Sequence, residues 1–285
     1  MKRFGVRLVA LAIYSSVTFA AAGLPNQPSL VAALQQCDAD MVAMLYQRGG
    51  VSADTEEARH AALWGVFDGA GSDAKKVAGC LTGFALTMRH GGQAMAVYTA
   101  RGSDVLAQLA HWAGQANSGS PGADAARLKS PISWPKRVDA VLQVLKEQGL
   151  DPHAPQRPVY KGRVTKYTPA PEFETKNFLM KLAATPGVHA AARHYVSKEN
   201  IYAGAIQVFL SAMQTSDVNA TNSSGKTALM FAAASPGAPY DTTVAPLIQV
   251  LLEGGADKHI KDKAGKTALD YALARGDTQA AKLLY

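Results

Sequence analysis

Gly225-Lys226-Thr227-Ala228-Leu229 recurs as Gly265-Lys266-Thr267-Ala268-Leu269 in this chain of 285 residues. Gly-Lys-Thr is how a phosphate-binding loop ends. Such a loop wraps phosphate in backbone N–H groups and needs a glycine five residues before its last one. Ala220 and Ile260 stand at those two positions, and neither copy follows a convincing buried strand. The spacing argues against nucleotide binding. The likeness of the two copies has to come from a repeat.

Other residues that could do chemistry are equally poorly spaced. His189 and His194 are five apart, about 140° round a helix of 3.6 residues per turn, whereas a zinc pair wants i and i+4. Glu57 and His60 form one Glu-x-x-His, but a di-iron bundle needs two such motifs with further glutamates, and no second copy exists. A helical surface pair is the simpler reading. No Gly-x-Ser-x-Gly elbow occurs. Trp64, Trp112 and Trp134 read as core and inter-repeat packing. We expect no catalytic site, no metal and no cofactor.

The elements around Gly-Lys-Thr explain it better. "SDVNATNSSGKTALMFAA" aligns with "ADKHIKDKAGKTALDYAL", and the copies continue into "VAPLIQVLLEGGAD" and "ARGDTQAAKLL". Thr267 is placed to cap a helix, with Asp270 completing a capping box. Leu269 and Ala272 recur at helical spacing. Gly276 permits a tight turn and Gly255 a helix end. This pattern closely resembles the ankyrin repeat, a hairpin followed by two short antiparallel helices. There are departures. Alanine replaces the usual proline at 228 and 268, and Met230 and Asp270 replace the usual histidine, which weakens hydrogen bonding between hairpins. "SPGAPYD" reads as an insertion in an inter-helix turn.

The same template slides toward the N-terminus. It fits 28–50, with Cys37-Asp38 standing where Gly-Asp belongs, and then 55–90, 93–115, 124–149 and 172–216, ahead of 227–255 and 267–285. One repeat cannot bury its apolar face alone, so the units must stack. The expected fold is all-α: an ankyrin-type helical-repeat solenoid with short hairpins and about seven degenerate repeats. The repeat domain spans 23–285, degenerate over 28–216 and clear over 217–285.

Residues 1–22 read as a cleaved secretory signal. "MKRFGVR" is basic, "LVALAIYSSV" is apolar, and Ala20-Ala21-Ala22 offers an A-x-A site. The apolar run is too short to span a bilayer, which takes about 20 residues. Loss of Lys2, Arg3 and Arg7 takes the formal charge from +7 to +4, which alone does not argue for nucleic acid. The export signal argues further against it, and no membrane attachment is expected after cleavage. We expect a bacterial periplasmic protein.

Cys37 and Cys80 are the two cysteines. In an oxidising compartment they would form one disulfide, and otherwise two buried thiols. They fall at nearly equivalent positions in adjacent repeats. Packed helices lie about 8–10 Å apart, and a bridge needs Cα atoms about 4.4–6.8 Å apart. Both readings stay open.

The resemblance implies a protein partner, met through hairpin tips, the exposed side of the first helices and the groove they line. The candidate contacts are two protrusions. "VYKGRVTKY", expected to form a hairpin, carries Tyr160, Lys161, Arg163, Lys166 and Tyr167. The hairpins of the clear repeats carry Thr221, Asn222, Lys258, Lys261 and Lys263. Cations flanked by tyrosines would suit a partner acidic on its contact surface. Signal peptide plus ankyrin repeats resembles bacterial periplasmic ankyrin proteins. Some of these neutralise a delivered toxin, and others support periplasmic enzymes. Two further readings are an envelope scaffold and an unrecognised hydrolase in the degenerate central region 117–200.

Overall fold

A computed structural model describes residues 25–91, 97–98, 105–115, 133–154, 159–160, 176–198, 203–236 and 243–285. The signal-like segment, most of the insertion in the 234–245 turn and the 161–167 part of the basic loop lie outside the described residues.

Helix ends are written in the sequence. Asp38 accepts a hydrogen bond from the Met41 N–H at 2.9 Å and starts α2 (Ala39–Arg48) after α1 (Gln27–Gln36). Thr55 starts α3 (Glu56–Trp64) by accepting from the Ala58 N–H at 3.1 Å. The chain continues through a π turn, Gly65–Gly69, into α4 (Ala74–Gly91). Next come α5 (Val105–Gln115) and α6 (Trp134–Glu147). Asn177 caps α7 (Phe178–Ala183), followed by α8 (Pro186–Val196) and α9 (Ala203–Thr215). The clear repeats supply α10 (Ala228–Ala234), α11 (Ala245–Glu253), α12 (Ala268–Ala274) and α13 (Thr278–Leu284). The two residues Val97–Tyr98 (β1) pair in parallel with Val159–Tyr160 (β2).

The helices form two rows. In the first, α1, α3, α5, α7, α10 and α12 each touch the next. In the second, contacts run α2, α4, α6, α9, α8, α11, α13, with α8 inserted as an extra helix. This is the expected helical-repeat solenoid. The units read at 93–115 and 124–149 contribute α5 and α6, which pack on each other as one pair. Val97–Tyr98, read as part of a helical unit, is strand.

The core is continuous along both rows, and Phe84, Phe178 and Phe209 are among its fully buried side chains. Trp112 is buried and Trp134 half-buried. Both pack against Phe67, with ring centroids 6.0 and 5.0 Å away. Arg137 on α6 is buried and closes the end of the π turn. Its guanidinium donates to the carbonyls of Val66 at 2.7 Å, Phe67 at 3.2 Å and Gly71. A cation there satisfies carbonyls that a helix end leaves without partners and opposes the negative end of its dipole.

At the far end the cover is partial. Ala272 and Leu284 are buried and Leu269 half-buried, but Leu273 and Leu283 are exposed.

Candidate functional site

Both Gly-Lys-Thr sequences end a hairpin and begin a first-row helix. The Asn222 carboxamide oxygen accepts from the Ser224 and Lys226 N–H groups at 2.9 and 2.8 Å. The Asp262 carboxylate does the same for Ala264 and Lys266, at 2.9 Å each. Gly225 and Gly265 take φ of +78° and +76° to turn the chain. The hairpins stack, with the Lys263 N–H donating to the Ser224 carbonyl at 3.0 Å. Thr227 then caps α10, and Thr267 and Asp270 form the capping box of α12. These N–H groups are spent on the turns rather than aimed at a phosphate.

The Asp262 carboxylate also accepts from the Tyr271 hydroxyl at 2.5 Å. That bond, the N–H donors of Lys266 and Ala264, and the nearby Lys226 charge hold its pKa below the usual carboxylate range, against its burial. Asp270, where the resembled repeat usually has histidine, instead caps α12 through Thr267. Neighbouring units are latched elsewhere too. The Asn219 side chain donates to the Gly255 carbonyl at 3.1 Å and accepts from the Asp257 N–H at 2.8 Å. Buried Asp277 accepts from the Val244 N–H at 2.7 Å, the Thr243 hydroxyl at 3.0 Å and the Ala280 N–H at 2.9 Å.

The lysines before the helix caps form a pattern not apparent from the sequence. Lys176, Lys226 and Lys266 each immediately precede a cap residue, Asn177, Thr227 or Thr267. The fourth helical residue is Lys181, Phe231 or Tyr271. These are the two positions that a hydrophobic staple brings together. Lys226 lies 5.9 Å from the Phe231 ring centroid, and Lys266 lies 5.8 Å from that of Tyr271. Each ring also meets the lysine of the preceding unit: Lys176 at 4.4 Å from Phe231, and Lys226 at 5.2 Å from Tyr271. Three ammonium groups and two rings therefore alternate across three units. The recurring Lys-Asn/Thr and the aromatic five residues after it were the available signal.

The candidate contacts fall into three groups. Thr221, Lys261 and Lys263 are exposed and Lys258 half-exposed on the stacked hairpins. Asn222 is buried and holds its turn, so its carboxamide faces inward rather than toward a partner. Tyr160 pairs with Tyr98 through β2, while Lys161, Arg163, Lys166 and Tyr167 lie outside the described residues. His189 is buried, with its ring Nε2 2.8 Å from the Ala183 carbonyl. A carbonyl only accepts, so that nitrogen carries a proton and is not a metal ligand there. Among the described residues no cluster of three or more metal-ligating side chains occurs, and no helix is long and apolar enough to cross a membrane.

Cys37 and Cys80 are joined as a disulfide, with Cα atoms 4.3 Å apart.

A family model for ankyrin repeats matches residues 188–285 in three copies. No curated protein matches the chain. Among solved structures, a chain in the complex of the predatory endopeptidase Bd0816 of Bdellovibrio bacteriovorus with the immunity protein Bd3460 is similar at 18% identity. The TM-score is 0.40, and the match covers 90% of this chain and 95% of that one. That likeness is too loose to carry function. Fold and family model agree on an ankyrin-type solenoid, a class of protein-binding module, and no enzyme family is indicated.

Proposed function

We propose that this chain is exported to a bacterial periplasm and binds a protein there, in the manner of an immunity protein that neutralises a delivered toxin. The observation that carries the binding reading is the set of stacked, lysine-bearing hairpins beside first-row helices over 217–285. Export is supported by the signal-like residues 1–22 and by a cysteine pair positioned for oxidation. Immunity rests on the resemblance of the whole architecture to periplasmic ankyrin proteins. The partner surface is acidic on this reading, since Lys261 and Lys263 stand exposed on one hairpin.

The test is capture of partners from periplasm by the tagged mature chain, followed by co-expression with the product of the adjacent reading frame. Rescue of growth from a toxic neighbour supports immunity. A captured enzyme whose activity rises on binding favours a helper role instead. The exposed Leu273, Leu283 and Tyr285 of the last unit favour one further reading, self-association in an envelope scaffold. An oligomer that grows with concentration in the absence of any partner would support it.

A further inference from the structure

We propose that Cys37 is a thiol-exchange site: the sulfur at which an external thiolate opens the bridge to Cys80 and an external disulfide installs it, with Cys80 as the resolving thiol. The site lies where the turn between α1 and α2 meets α4. It stands apart from the hairpins and does not depend on the protein-binding reading.

The two ends of the bridge have different surroundings. Cys37 is the C-cap of α1 and half-buried, between exposed Gln36 and Asp38. Cys80 lies inside α4 with 2% of its surface exposed. Val77 and Phe84, three residues before it and four after, share its helix face and are buried too. Gly65 closes over it from the π turn, where a Cβ would stand 3.0 Å from the Cys80 sulfur. Exchange needs a thiolate to reach the sulfur that it attacks. Cys37 borders solvent and Cys80 does not, so the attacked sulfur is that of Cys37.

The step balances as an exchange. The incoming thiolate bonds to the Cys37 sulfur as the Cys37–Cys80 bond breaks. The Cys80 sulfur leaves with the electron pair and takes a proton supplied by solvent. One disulfide replaces another, and a second thiol of the reagent completes the reduction by releasing Cys37. In the other direction, a Cys37 thiolate attacks an external disulfide and expels one thiolate. Cys80, as thiolate, then attacks the Cys37 sulfur and releases the reagent.

Burial sets the direction. An expelled Cys80 thiolate is a charge on the face shared with Val77 and Phe84, which is unfavourable away from water. With Cα atoms 4.3 Å apart, it is also held in place to attack Cys37 again. The mixed disulfide is therefore short-lived in the native chain, and the bridge re-forms.

The experiment uses the purified chain and two probes. Glutathione disulfide is the small-molecule probe. A dithiol oxidoreductase with its resolving cysteine replaced by serine is the protein probe. Adducts are located by mass spectrometry after acid quenching. Folded Cys80→Ala should form a stable adduct at Cys37, and the faster probe identifies the source of the thiol chemistry. Folded Cys37→Ala should react at Cys80 at least about tenfold more slowly. In denaturant the two variants should react at similar rates, because burial no longer separates them. If either variant fails to fold, the natural chain still decides. After brief, limited reduction by dithiothreitol, a pulse of N-ethylmaleimide should modify Cys37 ahead of Cys80 by a similar factor. An unreactive Cys37 in folded Cys80→Ala, native reaction at Cys80 as fast as at Cys37, or a preference for Cys37 that persists in denaturant overturns the proposal.

Discussion

The Cα atoms of Cys37 and Cys80 lie 4.3 Å apart, well inside the spacing of packed helices. Glycine makes the approach possible. A Cβ on Gly79 would sit 2.6 Å from the Cys37 carbonyl oxygen, and one on Gly65 would sit 2.5 Å from that of Leu34 and 3.0 Å from the Cys80 sulfur. The two glycines let α4 and the π turn close on the end of α1.

The purified protein, denatured without reductant, should therefore show no free thiol. The bridge closes a loop with a sequence separation of 43 residues, which is worth about 2–4 kcal/mol. Cys37→Ala with Cys80→Ala should lower stability by that amount. Cys37 also adopts φ +64°, where Gly276 has φ +74° at the equivalent turn. Cys37→Gly with Cys80→Ala should recover about 1 kcal/mol of the loss, because glycine sits there without strain. Two free thiols in the oxidised preparation would contradict the bridge.

Gly225 and Gly265 separate turn geometry from hairpin stacking. Both need positive φ, but a Cβ on Gly225 would meet the Lys263 nitrogen at 3.0 Å and the Asp262 Cα at 3.2 Å, whereas one on Gly265 meets nothing within 4 Å. Gly265→Ala should cost about 1–2 kcal/mol for the left-handed backbone alone. Gly225→Ala should cost clearly more in chemical denaturation. Equal costs would mean that the hairpins do not stack in solution.

The clear repeats were legible because capping, turn and periodicity signals fall on consecutive residues. Cys37-Asp38 was legible for the same reason: the Asp38 N–H donates to the Ala33 carbonyl at 3.0 Å, as Asp277 does to Ala272 at 3.1 Å. The Cys37–Cys80 approach was not, because Gly65 and Gly79 act across space while helix spacing alone argues against a bridge. The lysine ladder was hidden since each ring takes one lysine from its own unit and one from its neighbour. Leu273 and Leu283 have core periodicity, yet both are exposed.

Acid should loosen the terminal unit first. Burial raises the Asp277 pKa, but the N–H donors of Ala280 and Val244, the Thr243 hydroxyl and the nearby Arg275 outweigh it, and the net shift is downward. Asp262 is lowered chiefly by the Tyr271 hydroxyl and Asp270 by the Thr267 donors. A lowered folded pKa gives stability that is complete above the unfolded value, about 3.9, and is lost as pH falls through the folded value. Exchange protection over 243–285 should hold down to about pH 4 and then decline. Asp277→Asn should flatten that decline and lower stability at neutral pH. A loss of protection already present at pH 6 would contradict these assignments.

Arg137 should be structural and sensitive to shape as well as charge. Arg137→Met leaves the Val66, Phe67 and Gly71 carbonyls without their donor, at about 1–3 kcal/mol for buried groups. Arg137→Lys should recover only part, since one ammonium lacks the planar fork. Full recovery by lysine, read from denaturation midpoints, would show that charge alone matters.

The interface is tested most directly by lysine labelling with mass-spectrometric readout, on the chain alone and bound to its captured partner. Labelling at Lys226, Lys261, Lys263 and Lys266 should slow on binding, while the exposed Lys75, Lys76 and Lys282 of the second row should label unchanged. Slowing confined to Lys75, Lys76 or Lys282, with the first-row lysines unaffected, would contradict partner binding through the hairpins and first-row helices.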